Sequence, residues 1–296
     1  VLIIDGLNQF IRVFGAVPAL NDDGEHCGGV TGFLLSTAAT IRRLKPTRVI
    51  IVFDGKGGSN RRKSVYKGYK EGRTGLTKLN RLAGYEDLED QQVSMRNQFK
   101  RLIEYLQILP ITMTYIDYVE ADDIIAYLAN HYLKKEVTIL SSDKDFLQLV
   151  NERIQVFTPT KKKMYFKDDI AEEFGISSVN YLMYRVLSGD KSDNIPGIPG
   201  VGLKSLLKRL PELTEDQKVS LNDLMLLTAD SKIKMLTAIN ENYKLLELNH
   251  KLMQLADVDI SGAAKEKIRN IVDQKVSPLN KPKFQLMLVE DKMNTC

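Results

Sequence analysis

The sequence predicts an α/β fold, with a mostly parallel central sheet covered by helices on both faces and then a helical subdomain. Three observations predict it: apolar, β-branched runs too short for helices, helical patterns between successive runs, and the scarcity of such runs after about Thr158. Strands that alternate with helices belong to parallel sheets, and strands buried on both faces read as continuous apolar stretches.

Val1-Leu2-Ile3-Ile4 is the first such stretch and stops at Asp5-Gly6. A helix is expected over Leu7–Val17, a polar loop over Asn21–Gly29, and a second helix over Val30–Leu44 that ends before Pro46. Arg48–Phe53 is the second strand and stops at Asp54-Gly55, in the manner of the first. A helix over Gln91–Leu109 halts at Pro110, Ile111–Ile116 alternates as a strand, and Ala121–Leu133 is helical again. Val137–Leu140 makes the fourth strand and leads into Ser141-Ser142-Asp143. Beyond it come a short hairpin around Lys161–Lys163 and helices over 168–174, 179–187, 203–210, 221–227 and 231–246. The tail from Ser277, with Pro278 and Pro282, is expected to fray. The division expected is an α/β core over 1–160, with a basic arch at about 56–90, and a helical subdomain over 161–296.

Composition narrows the class. With 43% hydrophobic and 27% charged residues, the 296-residue chain falls among folded globular proteins. No apolar run approaches the roughly 18 residues of a membrane span, and Asp5 interrupts the opening too early for a signal peptide. Two cysteines and three histidines form neither a disulfide framework nor a zinc spacing, so a reducing cytosolic setting is expected. Val1 in the place of a methionine leads us to expect residues before it.

The net charge of +4 hides an uneven distribution. Lys56 to Arg81 carries +8 over 26 residues and leaves the remainder at −4. A solvated basic loop would account for the run, but Tyr66 and Tyr69 lie among the cations, and aromatic faces beside positive charge suit unpaired bases.

Acids collect at the predicted strand ends: Asp5, Asp54, Glu120-Ala121-Asp122-Asp123, and Asp143 with Asp145. Any one alone reads more readily as a helix N-cap. Together at one edge they are unfavourable unless cations bind, and in parallel sheets that edge is where ligands sit. Oxygen donors without His or Cys suit Mg²⁺ or Mn²⁺, and two such ions can support phosphodiester hydrolysis. Farther on, Gly189-Asp190-Lys191-Ser192-Asp193-Asn194 leads into Gly197-Ile198-Pro199-Gly200-Val201-Gly202-Leu203-Lys204, a turn between helices that can expose amides to a phosphate or be a plain connection. Its spacing is wrong for a nucleotide-binding P-loop.

These motifs, in this order over roughly residues 1 to 215, resemble the structure-specific 5′ nucleases, which include flap endonucleases, bacteriophage 5′ exonucleases and the 5′ nuclease domain of bacterial DNA polymerase I. The resemblance implies two-metal hydrolysis near the junction of a duplex and a single-stranded 5′ end, with RNA primers among the substrates. It implies that Asp5, Asp54, Glu120 and Asp122 surround one Mg²⁺ and Asp143, Asp145 and Asp190 a second, with Mn²⁺ able to substitute. Asp123 is left between a water-mediated metal contact and a cap on the following helix, and Asp193 between an outer metal contact and a support for Asp190.

Tyr69-Lys70-Glu71-Gly72-Arg73 resembles the family's segment near the scissile phosphate, which gives Lys70 and Arg73 a catalytic, electrostatic role. Arg62, Tyr66, Lys67, Tyr69 and Arg185 are expected at the DNA, with Arg62 equally readable as a flexible surface cation and the role of Arg185 open. Residues 182–210 resemble a helix-hairpin-helix clamp, with Gly200, Gly202 and Lys204 on phosphates and a potassium ion at the turn as a further expectation. Gly72 and Gly75 depart from a firmly helical arch, and beyond about Leu213 no distinctive motif appears. The partners expected are DNA with 5′ flaps or ends, RNA/DNA hybrids and replication proteins, for a free-standing monomer of viral origin in a bacterial cytoplasm. A catalytically silent DNA-binding scaffold and a PIN-type single-strand RNase are the other readings. The first would be expected to have lost some of the acids, and the second lacks the Asp190–Lys204 hairpin.

Overall fold

The β-branched runs form the strands. In the computed structural model, which describes residues 1–72 and 88–293, these are β1 (Leu2–Asp5), β2 (Val49–Val52), β3 (Thr112–Thr114), β4 (Val137–Leu140), β5 (Ile154–Thr158) and β6 (Lys163–Tyr165). They make a mostly parallel sheet in the order β3-β2-β1-β4-β5-β6. The helices are α1 (Gly6–Ala16), α2 (Gly28–Leu44), α3 (Asn60–Val65), α4 (Leu88–Gln107), α5 (Ala121–Tyr127), α6 (Lys167–Phe174) and α7 (Tyr181–Ser188). They continue as α8 (Leu203–Arg209), α9 (Leu221–Thr228), α10 (Lys234–Glu241), α11 (Tyr243–Met253), α12 (Gly262–Asp273) and α13 (Lys281–Glu290). Among the described residues no helix is long and apolar enough to cross a membrane. The chain divides into two compact units, one of residues 1–54, 74–115 and 262–296, the other of residues 55–73 and 116–261.

In unit one, β1, β2 and β3 are parallel, with Leu2 opposite Val49 and Ile50 opposite Thr112. Every residue of β1 and β2 is buried, as a strand covered on both faces requires. Phe99 of α4 packs edge-on to Phe10 at 5.1 Å and to Phe53 at 5.4 Å, an aromatic cluster under the sheet. The tail expected to fray is instead helical. Asn280 caps α13 by accepting from the Lys283 N–H at 3.1 Å, and Pro282 falls in the first turn, where a missing N–H costs nothing. Asp291 then takes Arg101 Nε at 2.8 Å and the Tyr105 hydroxyl at 2.7 Å, and Lys292 meets Asp23 at 2.7 Å.

In unit two, β4 and β5 are parallel and β6 returns antiparallel, so the hairpin read around Lys161–Lys163 is present as β5 and β6, which bring the four strands read from sequence to six. The helix expected over Ala121–Leu133 is α5 followed by a π-helical stretch, Leu128–Tyr132. The helix expected over 231–246 is two, broken where the Asn242 side chain donates to the Ala238 carbonyl at 2.7 Å, a local bond that competes with helix continuation. Asn249 of α11 donates to the carbonyls of Val186 at 3.0 Å and Pro196 at 2.7 Å, which fastens α7 and the turn after it to α11.

Candidate active site

In unit one the parallel register brings the carboxyl ends of β1 and β2 to one edge, where Asp5 lies opposite Val52 and Asp54 follows two residues later. Asp5 is buried and caps α1, accepting from the Asn8 N–H at 3.2 Å, so the structural role open to a lone Asp is realised here. Asp54 is exposed.

Unit two holds two groups of acids. The first lies at the start of α5, where Glu120 is 2% exposed and pairs with Arg62 and with Lys70 Nζ at 2.5 Å, while the Tyr69 hydroxyl stands 3.3 Å away. Burial alone would raise the Glu120 carboxyl, but Arg62 and then Lys70 outweigh it and hold it below the usual range. Asp123 takes Arg62 Nη2 at 2.7 Å and Arg61 Nη2 at 2.9 Å. It is not the cap of this helix, because Glu120 occupies the cap position and Asp123 sits within the first turn. Asp122, half-buried, adds negative charge that favours protonated Lys70.

The second group begins at Asp143, which caps the 3₁₀ helix Lys144–Leu149 by accepting from the Asp145 N–H at 2.8 Å. Arg185 donates to Asp145 Oδ1 from Nε at 3.0 Å and Nη2 at 2.8 Å, and also to Asp190. Asp190 Oδ1 in turn accepts from the Ser192 N–H and hydroxyl, both at 2.6 Å. Burial and then the charge of Asp143 push Asp145 up to about 7, even with Arg185 beside it, and burial with Asp193 and Asp190 nearby raises Asp143 as well. Asp190 is held low, its burial outweighed by Ser192 and Arg185. The two groups are tied through the backbone: Lys70, in the left-handed region at φ 55°, donates its N–H to the Asp193 carbonyl at 2.9 Å, and Asn194 Nδ2 donates to the Gly68 carbonyl at 2.9 Å.

Two expectations are corrected here. Arg62 is 4% exposed and donates from Nε to the Leu252 carbonyl at 2.9 Å, so it is a buried clamp between α3, α5 and α11 and has no surface to offer DNA. Tyr69 is 3% exposed and packs on Ile195, Leu252 and Met253, so its ring presents no face to a base. Tyr66 is half-buried on the same cluster and Lys67 is exposed. Arg73 lies outside the described residues. Arg61, which the charge run contains without distinction, is a partner of Asp123 that sequence reading missed. The positions 62, 65, 66 and 69 follow a helical spacing, and that spacing was the available signal of an inward face.

Between α7 and α8 the chain turns as the hairpin predicts. Gly189 and Gly197 pack so closely that a Cβ on Gly197 would stand 2.1 Å from the Ser188 carbonyl oxygen, while Gly200, at φ +78°, faces open space. Gly202 and Lys204 are exposed at the start of α8.

Among the described residues no three His, Cys, Asp or Glu side chains stand grouped as a formed metal cage, and the acids are met by Arg62, Lys70 and Arg185 instead. The donor chemistry nevertheless fits a hard divalent cation, since every donor is a carboxylate oxygen and Asp143 and Asp145 carry charge that Arg185 alone does not neutralise.

Residues 1–175 match the family model for the 5'-3' exonuclease, N-terminal resolvase-like domain. The chain is similar to a 5'-3' exonuclease of Aquifex aeolicus, 32% identical over 211 residues that cover 70% of this chain and 68% of the relative. It is similar also to DNA polymerase I of Bacillus subtilis, 32% identical over 225 residues, and there covers 74% of this chain and 24% of the polymerase. The chain thus spans about a quarter of that larger relative. In fold it is similar to the flap endonuclease of bacteriophage T5, crystallised as a pseudo-enzyme-product complex with DNA and metal ions, with a TM-score of 0.69, 21% identity and 99% of both chains covered. With acids at its strand ends, a match to the family model over more than half its length and a relative covered over two thirds, this chain belongs to the 5'-3' exonuclease family.

Proposed function

We propose that this protein is a Mg²⁺-dependent, structure-specific 5′ nuclease that hydrolyses phosphodiesters near the junction of a duplex and a single-stranded 5′ end, on DNA flaps and ends and on RNA/DNA hybrids. The observation that carries it is the pair Asp143 and Asp145 beside Asp190, carboxylates held together against their own repulsion. Asp143, Asp145 and Asp190 are the proposed ligands of one ion. Asp5 and Asp54 in unit one, and Glu120 and Asp122 in unit two, are proposed as further metal ligands, with Asp123 and Asp193 as outer contacts. Bound ions would supply an activated water and stabilise the attacking and leaving oxygens.

The chain's own cations do the rest. Lys70 and Arg185, already at the acids, bring positive charge to the scissile phosphate without moving a proton, and Arg73 is proposed for the same task. Lys67 and Tyr66 would meet the strand as it approaches. The open face at Gly200, Gly202 and Lys204 would grip duplex phosphates without reading bases, with K⁺ held at the turn. The protein would act as a cytoplasmic monomer alongside replication proteins.

A 5′-labelled flap duplex tests the proposal. Cleavage close to the junction is expected in Mg²⁺ or Mn²⁺, and none in EDTA or on a blunt duplex; binding without cutting in either metal would overturn it. Lys204→Ala is expected to weaken duplex binding about equally for all sequences and to lower the slope of log K against log salt by about one. A loss that depends on sequence would contradict a phosphate grip.

A further inference from the structure

We infer that Tyr118 is a stacking platform for an unpaired base of the substrate, an inference that rests on the nuclease reading above. Ile116-Asp117-Tyr118-Val119 forms a turn closed by the Val119 N–H on the Ile116 carbonyl at 3.1 Å, and Tyr118, at its third position, has φ +65°. Glycine is the residue at home there, because a Cβ meets the backbone in the left-handed region. A large side chain kept at a costly backbone position points to a use for that side chain.

The ring has the exposure such a use needs. Tyr118 is 68% exposed, and among the described residues its hydroxyl meets no hydrogen-bond partner. One edge rests on Gly57, where a Cβ would stand 3.1 Å from Cδ1.

The platform is also held in place. Tyr118 donates its N–H to the Lys56 carbonyl at 2.9 Å, Gly55 donates to the Val119 carbonyl at 3.1 Å, and Lys56 donates to Asp117 Oδ1 at 3.2 Å. At Gly55 a Cβ would fall 1.7 Å from the Ile116 carbonyl oxygen, so only glycine lets the two loops close this far. An exposed Lys56 beside an exposed ring is the pairing that binds single-stranded nucleic acid, the cation taking phosphate and the ring a base. Glu120, a proposed metal ligand, follows two residues after Tyr118.

The experiment measures binding of a duplex with a 5′ single-stranded arm carrying 2-aminopurine, and of a blunt duplex, in Ca²⁺ or EDTA so that nothing is cut, together with Tm. Tyr118→Gly is expected to raise Tm by about 2 °C through relief of the backbone, while affinity for the armed duplex falls about tenfold and blunt-duplex affinity stays unchanged. Fluorescence quenching by wild type is lost in this variant and kept in Tyr118→Trp. Tyr118→Ala, which keeps the strained backbone and lacks the ring, is expected to bind like Tyr118→Gly without the gain in Tm. A Tyr118→Gly protein that binds the armed duplex within twofold of wild type overturns the platform and leaves the nuclease reading intact. A wild type that binds neither duplex overturns that reading itself.

Discussion

Asp143→Asn is expected to lower the cleavage rate at least about 1,000-fold while raising the Tm of the metal-free protein. The rate effect follows from losing one anionic ligand of a catalytic cation, worth roughly 4 kcal/mol of transition-state charge stabilisation. The stability effect has the opposite sign because the ionised Asp143 is disfavoured by burial and by Asp193 and Asp190, so a neutral side chain relieves that repulsion. Asparagine also keeps the cap, since its carbonyl oxygen can accept the Asp145 N–H as the carboxylate does. Single-turnover cleavage and calorimetry with and without Mg²⁺ check both parts: the wild type should gain Tm from the metal and the variant should gain less. A variant that cuts within tenfold of wild type would remove Asp143 from the metal site.

Arg62→Met is expected to destabilise the protein by about 3 kcal/mol, because it strands Glu120 and Asp123 as buried carboxylates. The figure stands at the low end for a broken buried pair, since Lys70 still faces Glu120 and Arg61 still faces Asp123. At about 2–4 °C per kcal/mol, Tm should fall by roughly 6–12 °C. Arg62→Lys should recover only part of this, because an ammonium cannot span two carboxylates and the Leu252 carbonyl as the guanidinium does. The triple variant Arg62→Met, Glu120→Gln, Asp123→Asn should regain most of the loss, and thermal melts of the series measure it. A Tm for Arg62→Met within about 2 °C of wild type would mean that the clamp contributes little.

The sheet was legible because its strands are buried on both faces, so Leu2–Ile4, Val49–Val52 and Val137–Leu140 announce themselves by composition alone. Asp5, Asp54 and Asp143 were legible for the same reason, since each follows such a run within three residues, whereas Glu120 and Asp122 stand at the start of α5 and Asp190 after α7. What sequence could not assign was orientation within the basic segment. Arg61 and Arg62 are the same residue type side by side, and only tertiary packing sends one under Leu252 and leaves the other nearer solvent. Tyr69 among cations reads as a surface for bases, yet Ile195, Leu252 and Met253 come from more than a hundred residues away to bury it. Helix ends failed for a more local reason. Asn242 and Pro282 are both polar or breaking by type, and whether each interrupts or begins a helix depends on the backbone group its neighbours leave open.

The strap of α13 over unit one bears on how the chain reaches its fold. That unit takes its first strand from residue 2 and its last helix from residues beyond 280, with all of unit two synthesised in between. During translation unit two has its whole sequence available first, whereas Arg101 and Tyr105 must wait for Asp291, nearly two hundred residues later. Contacts of such long sequence separation are slow to form, so unit one should mature after unit two, once Asp291 has left the ribosome. A nascent or nicked chain that stops before Lys281 would therefore have its second unit finished while its first unit still lacked its clasp.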